Sequence, residues 1–204
     1  MLLSYHQEAV QWTKLAYNQS YTPFVKMICK SSIQVIVVHQ KTQTVLAFAY
    51  TITKKPLTNT MKNFMDGMVD GGLLALYQTI EDDIKDELHK PNVQRNILIC
   101  GHSFGGAIAC LCAMDLSWNY NVDCITFACP CFVSLRFQKI FRNILPSAVS
   151  YCNLFDVYAH IPFTYKQAGM VKWIVHPCCS PRALACFHVK EPTKQNHTDA
   201  YSRF

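Results

Sequence analysis

The chain has 204 residues, 50% of them hydrophobic and 16% charged, so it can bury a sizeable core in a single domain, 1–204, and lacks the composition of a disordered segment. Its 19 Lys and Arg outnumber 13 Asp and Glu, leaving a net charge of +6. No run of Lys and Arg interleaved with aromatics appears, so the excess does not argue for nucleic acid; it is compatible with weak attraction to an anionic membrane surface.

Met1 to Glu8 contains neither a basic stretch nor the long apolar run of a signal peptide, and none is expected. The 11 cysteines are an odd number, and Cys100, Cys110, Cys112 and Cys124 lie inside apolar runs, where free Cys acts as a small hydrophobe. Both features favour reduced thiols in an intracellular protein, soluble or peripheral on membranes, with the sequons at Asn18 and Asn196 unused.

Leu2, Tyr5, Ala9, Trp12 and Ala16 fall at helical spacing, and Tyr21-Thr22-Pro23 breaks that helix. Ser32 to Val38 and Thr44 to Thr51 read as strands joined by the polar turn Gln40 to Gln43. Residues 52–58, with Lys54, Lys55 and Pro56, read as loop. Leu57, Met61, Phe64, Met65 and Met68 then fall at i, i+4, i+7, i+8 and i+11, the stripe of a short helix. A packed helix and a mobile lid both fit that stripe; the methionines and the position just after a candidate oxyanion strand suit a lid. Gly71-Gly72 ends this piece. Residues 73–89 form a helix with Leu73, Leu76, Tyr77, Ile80, Ile84 and Leu88 inward and an acidic, solvated face.

The apolar run Asn96 to Cys100 reads as a buried strand, and Ala107 to Met114 as a helix. Between them stands Gly101-His102-Ser103-Phe104-Gly105-Gly106, a G-x-S-x-G motif in the strand–turn–helix setting that a nucleophile elbow requires. Such a turn holds Ser103 in a strained backbone, at the carboxyl edge of a sheet and at a helix N-terminus that favours developing negative charge. A membrane span over Ile97 to Met114 is rejected, because His102, Ser103 and three glycines interrupt it. Further strands are expected over 122–128, 148–155 and 171–175, with a short helix over 134–142. Alternation of strands and helices gives an α/β fold with a mostly parallel sheet.

An activated serine needs a base within hydrogen-bond reach and a carboxylate that orients the base, in the chain order Ser, Asp or Glu, His. Asp156 follows a strand and suits the middle role, although a capping Asp would look the same; Glu191 and Asp199 lie in the tail. His160 is too close to Asp156 in sequence, and spacing leaves His176, His188 and His197 open as the base.

Several motifs together resemble the class 3 (fungal-type) triacylglycerol lipases. Gly101 to Ala107 is similar to their G-H-S-L-G-G-A, and Val69 to Tyr77 to V-H-x-G-F-x-x-A-Y, with Asp70 in place of the usual His. Thr126-Phe127-Ala128-Cys129-Pro130 followed by Phe137 is similar to T-F-G-x-P and its aromatic. Asn153 to Asp156 with Ile161-Pro162 is similar to N-x-x-D…L-P, Gly169 with Val171 and Trp173 to G-x-x-V-W, and Asn196-His197 with Tyr201 to D-H-x-x-Y. The likeness covers roughly residues 30 to 201.

This resemblance implies an α/β-hydrolase fold with Ser103 as nucleophile, Asp156 as orienting acid and His197 as base. It implies an oxyanion hole formed by the backbone N–H of Phe104 and by Thr51, which occupies the last position of the family's R-G-[ST] while Ala49-Tyr50 replaces Arg-Gly. The expected activity is lipid-ester hydrolysis through an acyl-enzyme, on an acylglycerol or a phospholipid acyl ester, without metal or organic cofactor; a transient membrane or lipid-droplet surface is a compatible partner. Two other readings compete: a lipase-like module that binds without turnover, and a zinc site built from His176, Cys178, Cys179, Cys186 and His188, whose spacing matches no paired knuckle.

Overall fold

Strand residues that alternate between two apolar faces set the architecture. The computed structural model describes residues 2–17, 25–51, 57–91 and 93–174, with side chains from Tyr5 onward. The elements run α1 (Leu2–Tyr17), β1 (Val25–Lys30), β2 (Ile33–His39), β3 (Thr44–Tyr50), β4 (Met61–Phe64), β5 (Gly67–Asp70) and α2 (Gly71–Leu88). They continue with β6 (Asn96–His102), α3 (Phe104–Leu116), β7 (Asn121–Phe127), α4 (Leu135–Ile144), β8 (Val149–Asn153), α5 (Val157–His160) and β9 (Met170–Ile174). A seven-stranded sheet has the order β1-β2-β3-β6-β7-β8-β9. Its first three strands are antiparallel, and from β3 onward neighbours are parallel. The α/β class and mostly parallel sheet expected from the alternation are therefore present.

Both faces of the sheet are covered, which is why β2 and β3 are buried along nearly their whole length. Val35, Val37, Leu46, Phe48, Ile97 and Ile99 join the core formed with α2 and α3. Ile36, Val38, Val45, Ala47, Leu98 and Phe127 face the other way and pack with Ala9, Val10 and Ala16 of α1. The polar turn between β2 and β3 closes with Gln40 N–H donating to the Gln43 carbonyl at 2.9 Å. Both glutamine side chains donate to Glu8 of α1, at 3.0 and 3.2 Å, so the turn also seats that helix. Helix α3 is buried almost all round because α2 lies outside it and β3, β6 and β7 lie beneath it; such a middle-layer helix has to be apolar on every side. Tyr77 of α2 reaches over it and donates to Asp115 at 2.6 Å, and Lys85 joins the same carboxylate at 2.9 Å.

The stretch 57–68 is not the helix that its apolar stripe suggests. Residues 61–70 form a β-hairpin in register Met61↔Asp70 and Phe64↔Gly67. Its two turn residues, Met65 and Asp66, both have positive φ, 47° and 63°, the pattern of a type I′ turn. The spacing i, i+4, i+7, i+8 is compatible with either period over so short a stretch, and the turn decides it. Phe64 stacks near Tyr77 and Phe137, with ring centroids 6.3 and 6.2 Å away, while Leu57 and Met65 also pack on the core. Met68 points outward. A Cβ on Gly67 would lie 2.6 Å from Phe137 Cβ. On its other side β5 is tied to the chain before α4: Asp70 N–H donates to Phe132 and Ser134 N–H to Met68, both at 2.8 Å. The five residues proposed as a lid thus share no helical face, and most belong to the core or its margin.

Helix α2 begins at Gly71, two residues earlier than the apolar pattern suggests, because Asp70 caps it. Strand β1, an edge strand of mixed Lys, Met and Cys, carries no alternation that the sequence would reveal. Among the described residues no helix is long and apolar enough to cross a membrane, and no group of His, Cys, Asp and Glu could hold a metal. The residues named for the zinc reading, His176 to His188, lie outside the described residues. The eight described cysteines are free, and only Cys29 is exposed. Burial pushes the Cys29, Cys129, Cys131 and Cys152 thiols up and that of Cys100 up to about 12.

Two outcomes are expected. Phe64→Ala should lower unfolding free energy by about 2–4 kcal/mol, read as a shift of the denaturant midpoint at unchanged slope, because the half-buried ring leaves a gap against Tyr77 and Phe137. Native alkylation near pH 7.5, followed by peptide mass analysis, should modify Cys29 first and Cys131 slowly. The six buried described thiols should react only on unfolding, since the thiolate is the nucleophile and burial disfavours it.

Candidate active site

Ser103 sits between β6 and α3 with φ 55° and ψ −127°, a conformation that side-chain-bearing residues rarely hold. Two contacts enforce it. A Cβ on Gly101 would meet the Gly105 carbonyl oxygen at 2.6 Å, and one on Gly105 would meet the Phe48 carbonyl oxygen at 2.6 Å. Neither position accepts another residue without backbone movement, so α3 starts hard against β3 and β6. The Ser103 N–H donates to the Phe127 carbonyl at 2.8 Å, fixing the elbow to β7. Ser103 and Phe104 are half-buried at the first turn of α3, while His102 and the following glycines are buried. The elbow expected from the motif is formed, with its hydroxyl-bearing residue at the carboxyl edge.

Strands β3, β6, β7 and β8 run parallel, so the residues just after each of them lie at that same edge. Thr51 comes after β3, the neighbour of β6, and its N–H donates to Ser32 at 2.8 Å. Asp156 comes after β8, two strands from Ser103. It is 7% exposed and doubles as the N-cap of α5, accepting from Tyr158 N–H at 3.1 Å. The turn before it is shaped by fully buried Asn153, whose Oδ1 accepts from Phe155 N–H at 3.2 Å. The carboxyl edge therefore gathers Thr51, Ser103, Phe104 and Asp156. His197 lies outside the described residues, as do His176 and His188. His160 turns elsewhere: it stacks on Trp173 at 4.9 Å and its Nε2 meets the Leu154 carbonyl at 3.1 Å.

The residue next to Thr51 departs from the family pattern with a physical consequence. Tyr50 stands where the pattern has glycine, and its ring packs edge-on against Phe104 with centroids 5.6 Å apart. An aromatic pair thereby flanks the two proposed oxyanion donors. Ala128, where the pattern again has glycine, is buried with φ 50° and holds its turn by donating to the Tyr151 carbonyl at 2.8 Å.

Tyr17, at the end of α1, is a site residue that the sequence does not reveal. Its hydroxyl lies 3.2 Å from His102 Nδ1 and 3.4 Å from the His102 carbonyl oxygen. It also accepts the backbone N–H of Tyr50, and burial pushes the phenol up to about 12, keeping it protonated. One hydroxyl thus joins the end of β3 to the residue before Ser103, and the two rings meet edge to face at 5.8 Å. The partners are 85 residues apart and no local pattern links them.

Comparison with known proteins adds the family. The model described as Lipase (class 3) matches residues 36–166, well over half of the chain. No curated protein sequence matches it. Among solved structures it is similar to lipase II from Rhizopus niveus, at 18% identity over 85% of this chain and 82% of that one, with a TM-score of 0.68. It is also similar to the Lip2 lipase from Yarrowia lipolytica, at 14% identity, 86% and 81% coverage and a TM-score of 0.70. A third likeness is to a triacylglycerol lipase whose catalytic centre is described as a serine protease triad, at 17% identity, 96% and 92% coverage and a TM-score of 0.69. At such identities the structures speak for the fold alone, and the family match supplies the rest: the chain belongs to the class 3 lipases, carboxylic-ester hydrolases built on the α/β-hydrolase fold.

Proposed function

We propose that this lipase cleaves acylglycerol or phospholipid acyl esters through Ser103, His197 and Asp156. Ser103 Oγ attacks the ester carbonyl carbon and passes its proton to the His197 imidazole, which Asp156 holds in the required tautomer. The backbone N–H of Phe104 and Thr51 receive the oxyanion of the tetrahedral intermediate. Collapse expels the alcohol, protonated by His197, and leaves an acyl-enzyme. Water, deprotonated by the same imidazole, then releases the fatty acid. These steps need no metal or organic cofactor.

The observation that carries this reading is the strained Ser103 at the head of α3, on the sheet edge it shares with the buried Asp156. A lipid acyl group as substrate is supported by the apolar surroundings of that carboxylate. Leu154, Val157, Tyr158 and Phe163 are all exposed on the chain that flanks Asp156, and Phe163 is 78% exposed. Exposed apolar groups so concentrated suit contact with acyl chains or with an aggregated lipid surface.

Labelling by a fluorophosphonate probe and turnover of a panel of short and long esters test the assignment. Ser103→Ala should abolish labelling and lower turnover by roughly four or more orders of magnitude; His197→Ala should do similar damage, and the double variant should add little. His188→Ala should be silent. A severe His188→Ala with an innocuous His197→Ala would overturn the choice of base. Absence of both labelling and turnover in the wild-type chain would favour a module that binds without catalysis. Tyr17→Phe, which removes only the hydroxyl, should lower kcat by about fivefold with KM little changed, since a lost hydrogen bond of roughly 1 kcal/mol then loosens the elbow rather than substrate contacts.

A further inference from the structure

Gln167 is buried on the segment between α5 and β9, and its side chain reaches both ends of the turn that carries Asp156. Nε2 donates to the Ala159 carbonyl at 2.8 Å. Cys152 Sγ lies 3.1 Å from Nε2 and 3.3 Å from Oε1, so one amide meets the thiol with both of its polar atoms. Burial pushes that thiol up and keeps it protonated, able to donate to Oε1. Cys152 belongs to β8 and Ala159 to α5, and residues 153–158 lie between them. Within that stretch the bonds run to Asp156 itself. Its N–H donates to the Asn153 carbonyl at 3.0 Å, and its carbonyl accepts from Ala159 N–H at 3.1 Å. The backbone of Asp156 is thus bonded on one side to the neighbour of Cys152 and on the other to Ala159.

The clamp has a fixed base. Lys166 N–H donates to the Val133 carbonyl at 2.8 Å, and Gln138 Nε2 donates to the Gln167 carbonyl at 2.7 Å. Arg142 Nη2 donates to the Gly169 carbonyl at 2.9 Å, and Met170 N–H to the Ala148 carbonyl at 3.0 Å. The part it holds needs support. A helix of four residues such as α5 does not persist by itself, and its last carbonyls have no partner inside the helix. The Ala159 carbonyl meets Gln167 and, more distantly, Cys131 Sγ at 3.7 Å. An apolar side chain in place of Gln167 would avoid the cost of burying an amide but would take this donor away. We propose that Gln167 is a positioning residue: it ties Cys152 to Ala159 and so holds the Asp156 carboxylate at the carboxyl edge in the orientation the base requires. The inference rests on the reading of Asp156 as the orienting acid.

Substitutions test the clamp from both sides. Gln167→Met, similar in length but without the amide, should lower kcat on a soluble short-chain ester by about fivefold to tenfold with KM little changed, the size expected when lost hydrogen bonds disturb only the reacting geometry. Cys152→Ala should act in the same direction by about twofold or more, and Cys152→Ser, which keeps a donor and an acceptor, should recover most of that loss. Asp156→Asn alone should cost about 10⁴ in kcat. Added to it, Gln167→Met should cost nothing further, because Gln167 acts only through that carboxylate. The same loss in the Asp156→Asn background, a loss confined to KM, or unchanged kcat in folded Gln167→Met overturns the proposal. If Gln167→Met fails to fold, the Cys152 variants decide, and Cys152→Ala without loss overturns it. If the wild-type chain is inert toward the ester, or Asp156→Asn proves harmless, the reading of Asp156 falls and takes this proposal with it. A severe Asp156→Asn with an additive Gln167→Met sinks this proposal alone.

Discussion

How closely α3 approaches the sheet is the constraint on which the rest of the structure depends. The Phe48 carbonyl and the Gly105 Cα share a space in which a Cβ would sit 2.6 Å from the oxygen, and Gly101 faces Gly105 across an equal clearance. Only that approach turns the chain sharply enough to put Ser103 at φ 55°. The same approach explains why α3 is small and apolar throughout: a helix set so deep has its outer face covered by α2 and its inner face by β3, β6 and β7. Backbone strain at one residue is thus sustained by burial around the whole of the next helix.

Side chains with polar tips then fasten the pieces that carry chemistry. Tyr17 links the end of β3 to His102, Asp70 links Thr58 and Asn59 to the head of α2, and Asp156 caps α5 from the end of β8. Each is largely buried and each joins elements distant in sequence or in direction. Buried polar groups are tolerable only when their hydrogen bonds are made, so these contacts also select one arrangement of the carboxyl edge over its alternatives.

What the sequence discloses depends on how local the determinants are. Strands β2, β3, β6 and β7 announce themselves by runs rich in apolar and β-branched residues, and the elbow by glycines whose purpose is steric within one short turn of chain. The parallel order then places the end of every such strand at one edge, and Asp156, expected just after a strand, stands at that edge after β8. The hairpin over 61–70 is hidden because its length admits both periods and its turn uses Met65 where Asn or Gly would be a clear sign. Gly71-Gly72 looks like the end of an element and is the start of one, since Asp70 supplies the cap that outweighs their poor helix propensity. Tyr17 is illegible for a different reason: its partners are set by how α1 lies across the sheet, which no local pattern encodes. The choice among His176, His188 and His197 rests on the family likeness alone, because all three fall outside the described residues.

The all-round burial of α3 has a consequence for folding. A helix with no polar face has nothing to gain from forming before its neighbours, and its head can hold a strained serine only while β3, β6 and β7 are in place beneath it. The elbow and the central layer therefore belong to one cooperative unit, which opens only at close to the full cost of unfolding. Loops at the edge can fray and return without disturbing Ser103, but that residue has no partly folded state of its own. In such a molecule the strained turn at Ser103 forms during refolding only as the core is completed.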